Sequence, residues 1–439
     1  MPKIKKTKPK KENLKESNLY EKIRKSVDDA SRFYINTREV VKAGDVSFDL
    51  KDVLILGAIT GTDCLLTGKT GSGKTRLANM VMSGLFGKDE YTNKTITPAM
   101  QPDDFLDIDF NVMKEGGTLQ KAIKPLSIIE KPGVVLNEAN RAPSIIQNYL
   151  IPFLDKEMDI QGKEFYVGKE LKSGESYQYR VITINEGEEY FVEAMDKALR
   201  DRTVIEIPMD MFYQTTKDCL EMLNVQKEIN ESPTVKTKDV SNDIFELVTH
   251  INKLEVEEKV LFFLTYLSGM SYCVKIDSSS KMKESINFSP RICDSGCHFS
   301  ASTPANIHNL CGNVAAPSQR ALINLLKVSK GIAYMRAAKT GTNDCKVTID
   351  DVVSAAPFVL YYKIEMYPDW IEKHYQGNLW EAINDVIRQA KVRFETILQE
   401  LPIDPSNPQG TFKPELLTDY VEKNNDVWAL RLAEIFCPN

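Results

Sequence analysis

A glycine-rich run between residues 68 and 75 has the residue types and spacing needed to bind phosphate. It reads Gly68-Lys69-Thr70-Gly71-Ser72-Gly73-Lys74-Thr75 and fits the pattern G-x-x-x-x-G-K-[ST] at every fixed position. Glycines let successive backbone N–H groups point at phosphate oxygens, and a helix that begins at Lys74 adds its positive N-terminal end. In such a loop the lysine contacts the β- and γ-phosphates and the threonine hydroxyl binds Mg²⁺. The predicted nucleotide-binding residues are Gly68, Thr70, Gly71, Ser72, Gly73, Lys74, Thr75 and Arg76.

The segments on either side of this run predict the elements that must position it. Leu65 and Leu66 form a short apolar run before it, and Leu77, Met80 and Val81 follow at helical spacing. The loop therefore joins a strand to a helix, as a phosphate-binding loop requires.

Further apolar runs end in polar residues, which is typical of strands that end at a binding edge. Val134 to Glu138 and Arg180 to Asn185 are two such runs, and strands alternate with helical patterns up to Pro208. Alternating strands and helices indicate an α/β fold with a parallel sheet sandwiched by helices, and ligands bind at the carboxyl ends of such strands.

Beyond residue 212 the strand signal fades and helical patterns dominate, which predicts an all-helical lid domain and a C-terminal helical extension. The predicted domains are a basic disordered tail (1–16), an α/β nucleotide-binding domain (17–212), a helical lid domain with an insertion near 275–312 (213–369) and the C-terminal extension (370–439).

Charge and hydropathy exclude several functional classes. Residues 1–15 hold seven lysines and one glutamate, so that 49 of the 56 basic and 61 of the 62 acidic side chains lie in the remainder. An acidic body is a poor surface for nucleic acid, and we expect no nucleic-acid partner. The longest apolar stretch, residues 260–274, is short for a membrane span, and no export signal is evident, so we expect a cytoplasmic protein.

The run Leu136-Asn137-Glu138-Ala139-Asn140-Arg141-Ala142-Pro143 resembles the AAA+ ATPases of the MoxR group, which carry an acidic pair followed by Asn-Arg-Ala-Pro at this place. The resemblance covers roughly residues 40–365. It also includes Gln101 to Asp104, Asn185, Arg200 with Arg202, Pro317 to Ala321, and Val347 to Val352.

This resemblance implies an ATP hydrolase that binds ATP and Mg²⁺. Glu138 would polarise the attacking water, and Asn185 would hold that water and the γ-phosphate. Arg202, or alternatively Arg200, would reach the nucleotide of a neighbouring subunit, and Arg320 would contact the γ-phosphate from the lid. The family forms hexameric rings that remodel or activate partner proteins in a chaperone-like way, and the partner often carries a von Willebrand A domain.

Asn137 departs from the family, which usually has an aspartate that supports Mg²⁺ through a water molecule. An amide offers a lone pair but no charge, so we expect weaker metal binding and slow hydrolysis. Thr75 and Asn137 are the predicted magnesium residues.

Two hairpins are predicted, near residues 106–120 and 158–179. In the first, Ile108, Phe110 and Val112 alternate with polar residues as in a strand, and in the second a turn is expected at Ser173-Gly174. Both hairpins correspond to insertions that this group shares with remodelling ATPases. Phe110, Phe165 and Tyr166 are candidates for contact with a client protein. The alternative is that these residues only pack against the sheet.

A cysteine and histidine cluster in the lid offers candidate ligands for zinc. The candidates are Cys293, Cys297, His298, His308 and Cys311, which lie within 19 residues. Four-coordinate zinc accepts such ligands, but the spacing matches no standard zinc finger, and ordinary reduced thiols are the alternative.

Two other functions are compatible with the sequence. A nucleotide-gated scaffold would bind ATP with little hydrolysis, as Asn137 permits. A nucleic-acid motor would show strand-stimulated hydrolysis with steep salt dependence, and the acidic body argues against it.

Overall fold

A computed structural model of the chain divides into two compact units. The first holds Met1–Lys253 with Ala333–Cys345, and the second holds Leu254–Ile332 with Lys346–Asn439. The structure describes residues 13–108, 110–118, 123–160, 163–186, 195–229, 239–274, 280–282, 314–342, 344–401, 404, 413–424, 426–429 and 432.

The elements of the first unit alternate between strands and helices. They begin with α1 (Asn13–Ala30), β1 (Val41–Ala43), β2 (Val46–Phe48), α2 (Leu50–Thr60), β3 (Cys64–Thr67), α3 (Lys74–Phe86), β4 (Tyr91–Thr95), β5 (Leu106–Ile108), α4 (Phe110–Lys114), β6 (Ile123–Pro125), α5 (Ser127–Glu130) and β7 (Gly133–Asn137). They continue with α6 (Ser144–Leu154), β8 (Glu157–Ile160), β9 (Lys163–Tyr166), β10 (Lys169–Glu170), β11 (Ser176–Tyr177), β12 (Tyr179–Thr183), α7 (Lys197–Arg202), β13 (Ile205–Pro208), α8 (Thr216–Ile229) and α9 (Ser241–Asn252).

A five-stranded parallel sheet forms the centre of this unit, in the order β13-β3-β12-β7-β4. Every residue of β3, β7, β12 and β13 is buried, whereas β4 at one edge is partly exposed. Strands covered by helices on both faces become continuous apolar runs instead of alternating patterns, which is why the sequence shows them as short apolar blocks. The predicted α/β fold is confirmed.

A buried ion pair ties the sheet to α6. The Arg180 guanidinium, 1% exposed, donates to both carboxylate oxygens of Asp63 at 3.0 Å and to the Leu154 carbonyl at 2.8 Å. Such a pair is stable in the interior only when its hydrogen bonds are satisfied, and these contacts satisfy it. The pattern of apolar residues contains no sign of this pair.

Helix α1 packs against α3 at a glycine. A β-carbon at Gly84 would lie 2.7 Å from the Val27 α-carbon and 3.0 Å from the Ser26 carbonyl oxygen. The Ser26 hydroxyl donates to the Gly84 carbonyl at 2.7 Å. The two backbones can approach this closely because residue 84 has no side chain.

The small hairpins of this unit differ from the prediction at one place and agree with it at others. Phe110 to Lys114 forms a helix between the paired strands β5 and β6, so the prediction that Phe110 and Val112 continue a strand is wrong. Side chains on a turn of helix do not alternate between two faces as they do on a strand. Strands β8 and β9 pair as predicted, and the predicted turn at Ser173-Gly174 lies between the paired strands β10 and β11. The apolar pattern of residues 17–60 predicts helices, and the structure adds the β1–β2 hairpin within that segment.

The second unit is mainly helical in the part of the chain that the structure describes. Its elements are α10 (Glu258–Ser268), β14 (Tyr272–Val274), β15 (Ser280–Met282), α11 (Gln319–Thr340, whose last turns belong to the first unit), α12 (Ile349–Val359), α13 (Pro368–Tyr375), α14 (Leu379–Glu400) and α15 (Pro414–Asn424).

Aromatic packing joins α10 and α14 to the last described residues of the second unit. The ring of Tyr266 lies 5.7 Å from that of Phe394 and 5.9 Å from that of Trp428. The Tyr266 hydroxyl also donates to the buried carboxylate of Asp426 at 2.7 Å. Among the described residues, no helix combines the length and apolar character needed to cross a membrane.

Candidate nucleotide-binding site

The order of the strands brings three polar segments to one edge of the sheet. Strand β12 lies between β3, which runs into the glycine-rich loop, and β7, which ends at Asn137. The Ile184 N–H donates to the Leu66 carbonyl at 3.0 Å, and the Glu186 N–H donates to the Gly68 carbonyl at 3.3 Å. Asn185 is therefore held between the loop and Glu138.

The loop has the backbone conformation that its glycines permit. Gly68, Gly71 and Gly73 have φ values of +132°, +88° and +83°. At Gly68 a β-carbon would lie 2.7 Å from Asp210 Oδ1, so only glycine fits there. The Asp210 carboxylate accepts the Lys69 N–H with both oxygens, at 3.1 and 3.0 Å, and thereby fixes the start of the loop.

Lys74 is buried within the loop. Its ammonium donates to the Gly68 carbonyl at 2.7 Å, to the Lys69 carbonyl at 2.8 Å and to the Ser72 hydroxyl at 3.2 Å. Burial lowers the pKa of Lys74, and the charge of Asp210 opposes that shift. The lysine therefore lies where its charge can meet a phosphate group.

Glu138 stands at the end of β7 in a left-handed conformation, with φ of +56°. Non-glycine residues adopt this conformation rarely, and strain of this kind is concentrated at functional sites. One carboxylate oxygen lies 2.9 Å from Arg141 Nε, and the other accepts a hydrogen bond from the Asn185 side chain at 3.4 Å. The structure thus brings Glu138 and Asn185 together, and it adds Arg141, which the sequence analysis did not identify.

Asn137 takes part in a hydrogen-bonded group of side chains. Its amide nitrogen donates to Asn93 on β4, and its amide oxygen lies 3.5 Å from the Thr183 hydroxyl. Thr183 in turn accepts the Glu138 N–H at 3.2 Å.

The two candidate arginine fingers have different surroundings. Arg200 Nε donates to the buried carboxylate of Glu206 at 3.1 Å, and its Nη2 lies 3.1 Å from Glu186. Arg202 Nε instead pairs with Asp155 at 2.7 Å, and Asp155 is about one-third exposed. Arg200 is committed to a buried partner, whereas Arg202 is held by a surface carboxylate that solvent reaches.

A cavity of 300 Å³ borders the loop. Its walls include Tyr34, Thr70, Gly71, Met209 and Phe212. Apolar and aromatic walls beside a phosphate-binding loop suit a planar base. Residue spacing along the chain does not reveal this cavity, because its walls come from segments about 180 residues apart.

The site offers Mg²⁺ neutral oxygen donors. Thr75 has an exposed side chain in the first turn of α3, and Asn137 carries no charge. Among the described residues no group of three or more His, Cys, Asp or Glu side chains could hold a metal ion. The Thr75 hydroxyl is a suitable ligand for a Mg²⁺ ion that binds together with the phosphates. The Asn137 amide carries no negative charge to attract that ion.

Two predictions cannot be placed at this edge. Arg320 is the second residue of α11 and is exposed in the second unit. The candidate zinc ligands Cys293, Cys297, His308 and Cys311, with His298, lie outside the described residues.

Comparisons with known proteins address the fold. Residues 63–203 match the family model of the AAA domain (dynein-related subfamily). The crystal structure of a Cytophaga hutchinsonii protein that is assumed to be an ATPase is similar, with a TM-score of 0.59 and 18% identity over 86% of this chain and 96% of that chain. A full-length MCM homolog from Methanopyrus kandleri shows a TM-score of 0.41 and 12% identity over 83% of this chain and 63% of that chain. A search of curated proteins gave no significant match.

The family match and the first of these structures support the AAA+ fold, and the predicted fold class is confirmed. At 18% identity the similarity to the Cytophaga hutchinsonii protein shows the fold alone. The TM-score of 0.41 for the MCM homolog is too low to support a conclusion. The assignment to the MoxR group stays a prediction.

Proposed function

We propose that this protein is an ATPase that assembles into a homo-oligomeric ring, with six subunits by family resemblance, and uses ATP to remodel or activate a partner protein. The observation that carries the proposal is the placement of Asn185 between the phosphate-binding loop and Glu138, with its side chain 3.4 Å from the Glu138 carboxylate. Hydrolysis of a triphosphate needs a residue that orients water beside the γ-phosphate.

The residues take separate roles in this proposal. Lys74 and the loop amides bind the phosphates, and Tyr34 and Phe212 provide walls for the base. Glu138 and Asn185 orient water. Mg²⁺, held by Thr75 and the phosphates, would neutralise phosphate charge when bound. Asn137 adds no charge to that ion, which supports slow hydrolysis.

The ring part of the proposal rests on Arg202. An arginine finger must leave its resting partner to reach the nucleotide of a neighbour, and a pair with a solvent-exposed carboxylate costs little to break. Arg202 meets this condition better than Arg200, whose partner Glu206 is buried. Arg320 would act on the γ-phosphate from the lid.

Two aromatic residues on the insertions favour a protein client. Phe110 on α4 is 68% exposed and Tyr166 at the end of β9 is 89% exposed, whereas Phe165 is buried in the core. Exposed aromatic residues are typical of binding surfaces, so Phe110 and Tyr166 are the proposed client contacts and Phe165 is not one of them. A von Willebrand A domain is the partner that family resemblance favours.

Substitution of Glu138 tests the proposal. Glu138→Gln should bind ATP as the wild type does, lose hydrolysis and accumulate as an ATP-bound oligomer that retains its partner in a pull-down. Lys74→Ala is the matched control and, because its ATP binding is weakened, should not assemble at ATP concentrations that saturate the wild type. If purified wild-type protein neither binds ATP nor self-associates with it, the proposal is wrong.

The same assay separates the alternative functions. A nucleotide-gated scaffold would bind ATP and assemble, with hydrolysis near background in both the wild type and Glu138→Gln. A nucleic-acid motor would show hydrolysis that DNA or RNA stimulates and that salt suppresses steeply.

A further inference from the structure

Three asparagine side chains form a hydrogen-bonded row across the candidate site. Asn137 on β7 donates its amide N–H to the Asn93 oxygen on β4. Asn93 donates to the Asn79 oxygen on α3 at 2.7 Å. Asn79 donates to the backbone carbonyl of Thr75 at 2.9 Å. The row thus runs from the end of a central strand to the first turn of the helix that follows the phosphate-binding loop.

The direction of this row is set by its last member. A backbone carbonyl can only accept a hydrogen bond, so Asn79 must turn its NH₂ group toward Thr75 and its oxygen toward Asn93. Asn93 must then present its NH₂ group to Asn79 and its oxygen to Asn137. Residue 137 is therefore required to donate.

The opposite end of the row begins with an obligatory donor. The Glu138 N–H donates to the Thr183 hydroxyl at 3.2 Å, so the hydroxyl hydrogen can turn to the Asn137 oxygen, 3.5 Å away. Residue 137 thus accepts on one side and donates on the other. An asparagine amide does both, whereas an ionised aspartate can only accept.

We propose that Asn79, Asn93 and Asn137 form a directional relay that positions the Glu138 backbone relative to the helix bearing Lys74 and Thr75, and that this relay demands an amide at position 137. The neutral residue at the magnesium edge is then a requirement of the site and not the loss of an aspartate. The role of the relay in hydrolysis rests on the proposed ATPase function. The requirement for a hydrogen-bond donor at position 137 affects the stability of the fold, so it can be tested without nucleotide.

The test is a double-mutant cycle on nucleotide-free protein followed by calorimetric melting. At neutral pH, Asn137→Asp should lower the melting temperature by about 2–4 °C, because one link of the relay becomes a contact between two acceptors. Asn79→Ala removes the residue that sets the direction, so Asn93 can turn its NH₂ group toward Asp at position 137. In the Asn79→Ala background, Asn137→Asp should therefore lower the melting temperature by less than half of what it does in the wild-type background.

A second arm uses pH. A protonated aspartic acid can donate and accept as an amide does, so the deficit of Asn137→Asp should shrink as the pH falls through the pKa of the new carboxyl group. Equal losses in the two backgrounds, no loss in either, or a deficit that does not change with pH would overturn the proposal. Since no nucleotide is present, these results stand apart from the outcome of the ATPase test.

Discussion

At the scale of single residues, the site combines one buried cation with a carboxylate that holds the start of the loop. Lys74 donates three hydrogen bonds within the loop, and Asp210 holds the Lys69 N–H at the start of the loop. The Tyr213 hydroxyl donates to Asp210 at 3.1 Å and orients it. The loop is therefore held in shape before any phosphate arrives, and a site that is held in shape loses less entropy on binding.

Lys74→Ala should weaken ATP binding by at least about tenfold, or ~1.4 kcal/mol, because a buried charge opposite the phosphates is lost. Titration calorimetry would measure this loss. Lys69→Ala is the control, since the exposed Lys69 contributes its backbone N–H to the loop in either form. Equal losses in the two variants would contradict the assignment of Lys74.

Asp210→Asn should tighten ATP binding several-fold, because it keeps an acceptor for the Lys69 N–H and removes a negative charge beside the triphosphate site. Asp210→Ala removes the same charge together with the acceptor for the Lys69 N–H, so its ATP affinity should rise less than that of Asp210→Asn. Dissociation constants of the two variants at low and high salt separate the effects, since salt screens only the charge. If the alanine variant binds at least as tightly as the asparagine variant, Asp210 does not hold the loop.

At the scale of elements, close approaches of backbone decide how the helices cover the sheet. Helix α1 approaches α3 most closely where Gly84 has no side chain, and Asp63 with Arg180 joins α6 to the sheet. Helix α2 starts at an Asp49 capping box and is buried at every position except Lys51. Each of these features keeps the sheet, and hence the edge that holds Glu138 and Asn185, in one arrangement.

Gly84→Val should lower the free energy of unfolding by about 1–3 kcal/mol, because the new side chain meets the backbone of α1 and cannot be relieved by a rotamer change. Urea unfolding followed by far-UV circular dichroism would measure the loss. Ser83→Ala is the control, one position earlier on α3, and it should have little effect. A stabilised Gly84→Val variant would mean that α1 does not pack on α3.

At the scale of the whole molecule, the two units can be observed separately. All three tryptophans, Trp370, Trp380 and Trp428, belong to the second unit. Tryptophan fluorescence therefore reports the unfolding of that unit, and nucleotide binding reports the state of the first. Ring assembly is a property of neither unit by itself in the proposed function, since Arg202 would act on the nucleotide of another subunit.

The stability of the second unit should fall as the pH rises through the pKa of Asp426. Burial raises the pKa of Asp426 above its ordinary value, although the hydrogen bond from Tyr266 opposes that shift. Between the ordinary and the raised pKa the folded state binds more protons than the unfolded chain does. The extra stability is therefore complete below the ordinary carboxyl range and is lost as the pH rises through the raised pKa.

Asp426→Asn should remove this slope, because an amide does not titrate. Melting curves by tryptophan fluorescence over a range of pH would show it, since Trp428 lies beside Tyr266. Asp419→Asn, at an exposed position of α15, is the control and should keep the slope. An unchanged slope in Asp426→Asn would assign the pH dependence to another group.

The sequence by itself determined the phosphate-binding loop and three strands of the sheet, namely those that lead into the loop, Glu138 and Asn185. These features depend on residues that are close along the chain, where spacing and apolar period carry the information. The same patterns failed at Phe110 to Lys114, because a helix of one turn is too short to show a helical period.

Only the tertiary structure decided the contacts between residues that are distant in sequence. Asp210 could have been anticipated, since it follows a strand at the binding edge, but its bond to the Lys69 N–H joins positions 141 residues apart. The choice of Arg202 over Arg200 depends on the burial of Glu206, and the direction of the asparagine row depends on a single carbonyl at Thr75. The pattern along a chain predicts which element a residue belongs to. The partners of its donors, acceptors and charges are decided by contacts that form only when the chain folds.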